Sequence, residues 1–483
     1  MTLEGRTRWF ALYVLCLGTL MIVLDATIVN VALPTIKSSL HFSDTSISWV
    51  VNAYLLTFGG FLLLGGRLGD LYGPRRLFVG GIALFTLASL VCGVSDTKGL
   101  LIGARAVQGL GGAVASAVSL ALTMTLFTEQ GERAKAVGIF GFVASGGGSI
   151  GVLLGGVLTN WLDWHWIFLV SIPIGVAVVF LTMRLLPSTE GAASGGRLDV
   201  GGALTVTGSL MMAVYAIVNG QTAGWLSLQT VGLLVGAAVV FVAFLGVESR
   251  VPLPLVPLGL FRLRNLATAN AVGVLWAGAM FAWFFVSALY LKYVLHYSPI
   301  EIGLSFLPAN LIMGALSIGV SAKLVMRYGI RKPLAVGLLV AAAGLALFVR
   351  APVHGSFATD ILPSMLLLGF GAGIAFNPVL LAAMSDVAPE EAGLASGLVN
   401  TSFMMGGALG LAILASIAAS RTSTLTSAGE SSSAALTGGY HAAFLGGAIF
   451  AVTAVALGVG LLRTRAPSSA AAHAPELAAE TDF

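Results

Sequence analysis

Two ionisable residues stand deep inside stretches that are otherwise apolar. Asp25 is the acidic residue well inside the first such stretch, in Leu24-Asp25-Ala26-Thr27-Ile28-Val29-Asn30-Val31-Ala32-Leu33-Pro34. An ionised carboxylate at the middle of a bilayer costs about 2.5 to 3.5 kcal/mol on insertion scales. A proton removes that cost, so Asp25 is a candidate proton carrier; the blander alternative is a carboxylate that only hydrogen-bonds a neighbouring helix. Arg105 and Gln108 lie in a later run, Arg105-Ala106-Val107-Gln108-Gly109-Leu110-Gly111-Gly112. Arginine keeps its charge at any working pH, so Arg105 must find a carboxylate, backbone carbonyls or a water-filled cavity. Whether it meets Asp25 is open at the level of sequence.

The elements that must position these residues follow from composition. Of 483 residues, 9% are charged and 57% hydrophobic, whereas a soluble domain carries roughly 25% charged residues. Mean hydropathy is +0.98. Most of the chain must therefore face lipid. The net charge of +4 is scattered singly or in pairs between apolar runs, which excludes a nucleic-acid patch. Cys16 and Cys92 sit inside apolar runs and read as packing residues. Arg6 and Arg8 precede the first run, but no clean cleavage site follows, so it reads as an uncleaved span. No histidine is paired at metal-ligand spacing, and no cofactor or metal is expected.

A membrane helix needs about 20 mainly apolar residues. Fourteen stretches meet that need, at 10–35, 48–68, 78–95, 100–126, 135–159, 166–186, 199–219, 230–247, 266–290, 300–322, 333–350, 359–383, 394–419 and 440–462. With the N-terminus in the cytoplasm, eighteen of the 24 basic residues fall inside. Lys37, Lys98, Lys292, Arg350 and Arg421 fall outside, and Arg105 within a span. Both termini are then cytoplasmic. The Ser/Gly-rich stretch around 422–438 reads as a disordered external loop, and the Ala/Pro/Ser/Glu-rich tail after Arg465 as disordered.

Between the second and third spans lies a charged, glycine-rich turn, Gly66-Arg67-Leu68-Gly69-Asp70-Leu71-Tyr72-Gly73-Pro74-Arg75-Arg76. A degenerate copy, Ala322-Lys323-Leu324-Val325-Met326-Arg327-Tyr328-Gly329-Ile330-Arg331-Lys332, follows 256 positions later. Glu132-Arg133-Ala134 and Glu390-Glu391-Ala392 repeat at nearly the same offset, 258. A near-constant offset indicates parallel duplication. The turn resembles the helix 2 to helix 3 cytoplasmic loop signature of the major facilitator superfamily. The resemblance implies an all-α membrane protein of two six-helix bundles: residues 1–186 and 265–465, a linker of 187–264 carrying two extra central helices, and a disordered tail of 466–483. In that arrangement Asp70, Arg75, Arg76 and Arg133 are conformational latches; the alternative is a solvated loop that only fixes topology.

The residues around Asp25 are similar to the first-helix motif of the fourteen-span drug:proton antiporters, which associates that acid with coupling; Arg105, in a stretch similar to the fourth-helix motif, would help pass or sense the proton. Gly147, Gly151 and Gly155 recur every four residues, with Gly156 beside them, and leave one helix face open to close approach. The stretch Gly151-Val152-Leu153-Leu154-Gly155-Gly156 resembles the fifth-helix antiporter signature, with Val152 in place of its usual proline. Trp164-His165-Trp166-Ile167-Phe168, Leu198-Asp199-Val200-Gly201-Gly202 and Tyr290-Leu291-Lys292 extend the match over nearly the whole chain.

Asn30, Gln108, Trp276, Phe281, Asn377 and Asn400 are candidate substrate-cavity residues; for each amide an interhelical bond is the competing reading. No Gly-x-x-x-x-Gly-Lys-Ser/Thr loop occurs, so a gradient must supply the energy. The expected activity is proton-coupled export of an amphipathic or cationic small molecule from a bacterial cell by a monomer in the cytoplasmic membrane. The rival is transport of a natural metabolite such as an amino acid, siderophore or peptide. No catalytic constellation marks an enzyme.

Overall fold

The computed structural model describes residues 5–127, 129–186, 199–251, 254–387 and 391–463, without the side chains of Asp70, Gln221, Ile318, Ala392, Arg133 and several neighbours of Arg133 in the fifth helix. Among the described residues every regular element is helical. Helices suit lipid, because a helix pairs its backbone groups within its own segment where no water is near.

The helices are α1 (Gly5–Ser39), α2 (Trp49–Tyr72), α3 (Pro74–Gly93), α4 (Lys98–Leu126), α5 (Gln130–Trp161), α6 (Trp166–Leu169), α7 (Ser171–Leu185), α8 (Val200–Ala223), α9 (Leu228–Glu248), α10 (Arg264–Tyr293), α11 (Pro299–Ala315), α12 (Ser321–Tyr328), α13 (Arg331–Phe348), α14 (Leu362–Met384), α15 (Ala392–Ser427) and α16 (Ser432–Leu461). Among the described residues twelve helical stretches are long and apolar enough to cross a membrane, and two shorter apolar helices cover Ile150–Trp161 and Pro299–Ala315. Each of the fourteen predicted stretches overlaps helix.

Two predicted stretches are broken in instructive ways. The one at 166–186 divides at Val170 into α6 and α7. The one at 300–322 widens into a π-turn at Leu316–Val320 between α11 and α12. Two hydrogen bonds tie that turn to α14 and one ties the start of α12 to it: Asn377 Nδ2 donates to the Ser317 carbonyl at 2.6 Å, and Ser317 and Ser321 hydroxyls donate to the Gly373 and Ile374 carbonyls at 3.3 and 2.9 Å. Such a bulge frees backbone carbonyls for outside donors.

The duplicated charged turns share a backbone device. Gly73 and Gly329 hold φ of 91° and 74°, a region that β-carbons disfavour, and each lets a helix end and the next begin almost at once. The predicted disordered loop at 422–438 is corrected: α15 runs to Ser427 and α16 starts at Ser432, capped by Ser431, whose hydroxyl accepts the Ala434 N–H at 3.3 Å. Small polar residues there cap helices instead of unfolding them.

The halves meet along α5 with α11 and along α2 with α15. The hairpin α8–α9 lies beside α2 and α15: Thr207 packs on Gly60, and the Ser416 hydroxyl donates to the Ile217 carbonyl at 3.0 Å. At the far end of α1, the Tyr293 hydroxyl donates to the Pro34 carbonyl at 2.8 Å, joining α1 to α10. Lys37 pairs with Asp44 there and lies 4.5 Å from the Tyr293 ring centroid.

Candidate functional site

The site is built where α1, α2, α3 and α4 converge. Thr97 starts α4 by accepting the Leu100 N–H at 3.3 Å, and two turns later the helix turns Arg105 and Gln108, three residues apart, toward α1. Arg105 Nη1 donates to Asp25 Oδ2 at 2.5 Å and to Gln108 Oε1 at 2.6 Å, while its Nε donates to the Val50 carbonyl at 2.9 Å. Gln108 Nε2 donates to Asp25 Oδ1 at 2.7 Å and to the Ser89 hydroxyl at 2.8 Å. Both carboxylate oxygens of Asp25 are thereby occupied. The guanidinium also lies 4.4 Å from the Tyr54 ring centroid and 5.7 Å from that of Phe168, close enough for cation–π attraction.

None of this touches solvent. Asp25 and Arg105 are each 1% exposed and Gln108 is 0% exposed. A lone buried charge is prohibitively costly, and an ion pair survives burial only when its remaining donors and acceptors are also satisfied. Gln108 meets that condition by bridging the two charges. It was expected in a substrate cavity; here its amide is engaged inside the charged cluster. Sequence reasoning missed Ser89, Val50 and Tyr54, because a serine, a carbonyl and a ring in apolar helices carry no signal of their own.

The glycine face of α5 presses on the same turn of α1. A methyl on Gly147 would meet Leu20 and Val23 at 3.0 Å; on Gly151, the Leu24 carbonyl at 3.0 Å; on Gly155, the Ile28 carbonyl at 2.7 Å. Gly156 faces the other way: a methyl there would lie 2.8 Å from the Pro299 carbonyl of α11. One helix thus touches both the segment holding Asp25 and the opposite half. Helix α5 continues unbroken through Val152, which is fully buried.

The other predicted residues are dispersed. Asn30 is buried and donates to the Ala26 carbonyl of its own helix at 3.3 Å. Trp276 is buried with no partner for its indole N–H. Phe281 is half-buried, packs on Gly407 and meets the Phe403 ring edge-on at 6.1 Å. Asn377 secures the π-turn, and Asn400 is exposed and bonds the Ser396 carbonyl at 3.1 Å. In the charged turn, Arg75 Nη2 donates to the Met183 carbonyl of α7 at 2.5 Å and Arg76 is exposed. The side chains of Asp70 and Arg133 lie outside the described residues. Among those residues no cluster of metal-ligating side chains occurs.

The family model described as Major Facilitator Superfamily matches residues 15–411. The chain belongs to that superfamily. This transporter is 41% identical over 437 residues to the puromycin resistance protein of Streptomyces alboniger, an alignment covering 90% of this chain and 86% of the relative. It is 37% identical to the cephamycin export protein of Amycolatopsis lactamdurans, over 93% and 91% of the two chains. Among solved structures, a bacterial homolog of the human lysosomal transporter Spinster, inward-facing and occupied, superposes with a TM-score of 0.67 at 14% identity, over 94% of this transporter and 97% of that chain. The last likeness concerns the fold.

Proposed function

We propose that this transporter exports amphipathic or cationic antibiotics or drugs across a bacterial cytoplasmic membrane in exchange for protons, with both termini in the cytoplasm. The observation that carries the coupling is the sealed Asp25–Arg105–Gln108 cluster. The export reading is supported by the relatives named for puromycin resistance and cephamycin export.

Protonating Asp25 removes the negative partner of Arg105. The guanidinium then keeps the Val50 carbonyl, Gln108 Oε1 and the Tyr54 face, but α1 and α4 lose the ion pair between them, and the bond left to a neutral oxygen is weaker. Because α5 is packed by its glycines on the Asp25 turn and by Gly156 on α11, a shift of α1 is passed to the opposite half. Alternating access follows when the protonated and ionised forms favour opposite openings. Each elementary charge moving through 100 mV supplies about 2.3 kcal/mol. In this reading residues 1–186 and 265–465 move as the two bundles joined by 187–264. Asp70, Arg75, Arg76 and Arg133 latch the cytoplasmic side, and Trp276 and Phe281 supply apolar surface to the substrate.

Everted vesicles test the proposal. With an acidic interior, adding a fluorescent cationic drug or puromycin should release protons, and the Asp25→Asn transporter should not. If every drug fails while an amino acid, siderophore or peptide elicits proton release, the substrate class is a metabolite. Undiminished exchange by the Asp25→Asn protein would end the coupling role.

A further inference from the structure

The extra hairpin carries ionisable groups that the Asp25 cluster does not use, in the motif Leu198-Asp199-Val200-Gly201-Gly202. Asp199 caps α8, its Oδ1 accepting the Gly202 N–H at 2.7 Å. Glu248 ends α9, its Oε2 accepting the Val256 N–H at 3.2 Å. Asp199 is 6% exposed and Glu248 3%. Their other oxygens, Asp199 Oδ2 and Glu248 Oε1, are buried without a hydrogen-bond partner. A methyl on Gly202 would lie 2.6 Å from each of those two oxygens, so both converge over the bare Cα of that glycine.

Among the described residues, no positive charge acts on Glu248. The charged group that faces Glu248 is Asp199, from α8; the 249–256 segment contributes the backbone N–H groups of Leu255 and Val256. From α2 comes Leu64, packed with Leu255 and Ala203. Among the described residues neither Asp199 nor Glu248 belongs to an ion pair; Arg197 lies outside them. Two anions cannot converge in such a place, since like charges close together in a medium of low polarity repel strongly. One proton between them converts the repulsion into an O–H···O⁻ hydrogen bond, among the strongest available to side chains.

We infer that Asp199 and Glu248 share a single proton and form a second proton-binding site, at the join of the extra hairpin with α2. Gly202 makes the approach possible, because any side chain there would part the two acids. The proton bridges Asp199 Oδ2 and Glu248 Oε1 and is released to water as pH rises. The two resulting anions then push the start of α8 away from the end of α9. The join is therefore tight at low pH and loosens on the alkaline side of the shared proton's release.

The test uses the full-length Asp25→Asn protein in lipid nanodiscs, so that its outcome is separate from the coupling reading. Infrared difference spectroscopy during a pH titration reads the carbonyl stretch of a neutral carboxylic acid, at a pH where exposed carboxylates are already ionised. One such band is expected, lost on further alkalinisation, and missing when either Glu248→Gln or Asp199→Asn is added. Asp199→Asn keeps an oxygen for the Gly202 N–H, so α8 stays capped, and thermal melting verifies the fold of both variants. Absence of the band in the Asp25→Asn protein, or its persistence in both double variants, overturns the inference. So does a melting temperature of the Asp25→Asn protein that rises with added sodium or potassium and ignores pH, which would make the occupant a metal ion.

Discussion

The two buried acid sites solve one electrostatic problem in opposite ways. Asp25 is answered by a permanent cation, Arg105, and by an amide that fills the remaining valences. Asp199 is answered by another acid, Glu248, over a glycine that leaves room for both. In the proposed coupling, an incoming proton at the first site competes with the partner and loosens α1 from α4. At the second, on the inference drawn above, the proton is the partner, and its departure loosens α8 from α9. The two proposals therefore give acid opposite effects at the two sites, which makes them separable by experiment.

The strongest way to break this contrast is to remove the cation. Arg105→Leu leaves the Asp25 charge buried and unpaired, and breaking a buried pair from one side costs about 3–5 kcal/mol. The variant should melt well below the parent and lose gradient-driven export, and adding Asp25→Asn should restore much of its stability. A parent-like melting curve for Arg105→Leu alone would refute the account of the pair. Asp25→Asn by itself should express normally, because the amide oxygen still accepts from Arg105, yet exchange no protons in vesicles.

Packing sharpens the contrast next. Gly155→Ala puts a methyl 2.7 Å from the Ile28 carbonyl, and overpacking against backbone costs roughly 1–3 kcal/mol. It should slow transport and lower the melting temperature more than Gly147→Ala, whose neighbours are side-chain ends of Leu20 and Val23. Equal effects of the two substitutions would count against α5 as the element that senses α1. The smallest effect is expected of Arg75→Ala, which removes one exposed bond to the Met183 carbonyl, worth about 1 kcal/mol or less in such a place.

Much of this was legible in the residues. The run of apolar stretches, the repeat 256 positions apart and the two charges at odds with their surroundings all leave one-dimensional traces, because lipid tolerates so little else. The glycines of α5 were legible as a close-approach face, but not which helix they would meet. Asn377 and Gln108 looked alike as amides in apolar runs. One proved to hold a π-turn and the other to bridge an ion pair, and nothing local distinguishes them. The stretch at 422–438 misled because serine and glycine favour loops and helix caps equally.

What the chain's order of residues determined alone was where helices must form, which face glycine leaves bare and which groups cannot stay solitary. Those follow from the cost of an unpaired polar group in hydrocarbon, a property of each residue and its immediate neighbours. Only the tertiary structure decided the partners: Asp25 with Arg105 across 80 positions, Asp199 with Glu248 over Gly202, and α5 with both halves. Partnership depends on distances of a few ångströms between segments far apart in the chain, and hydropathy carries no record of them.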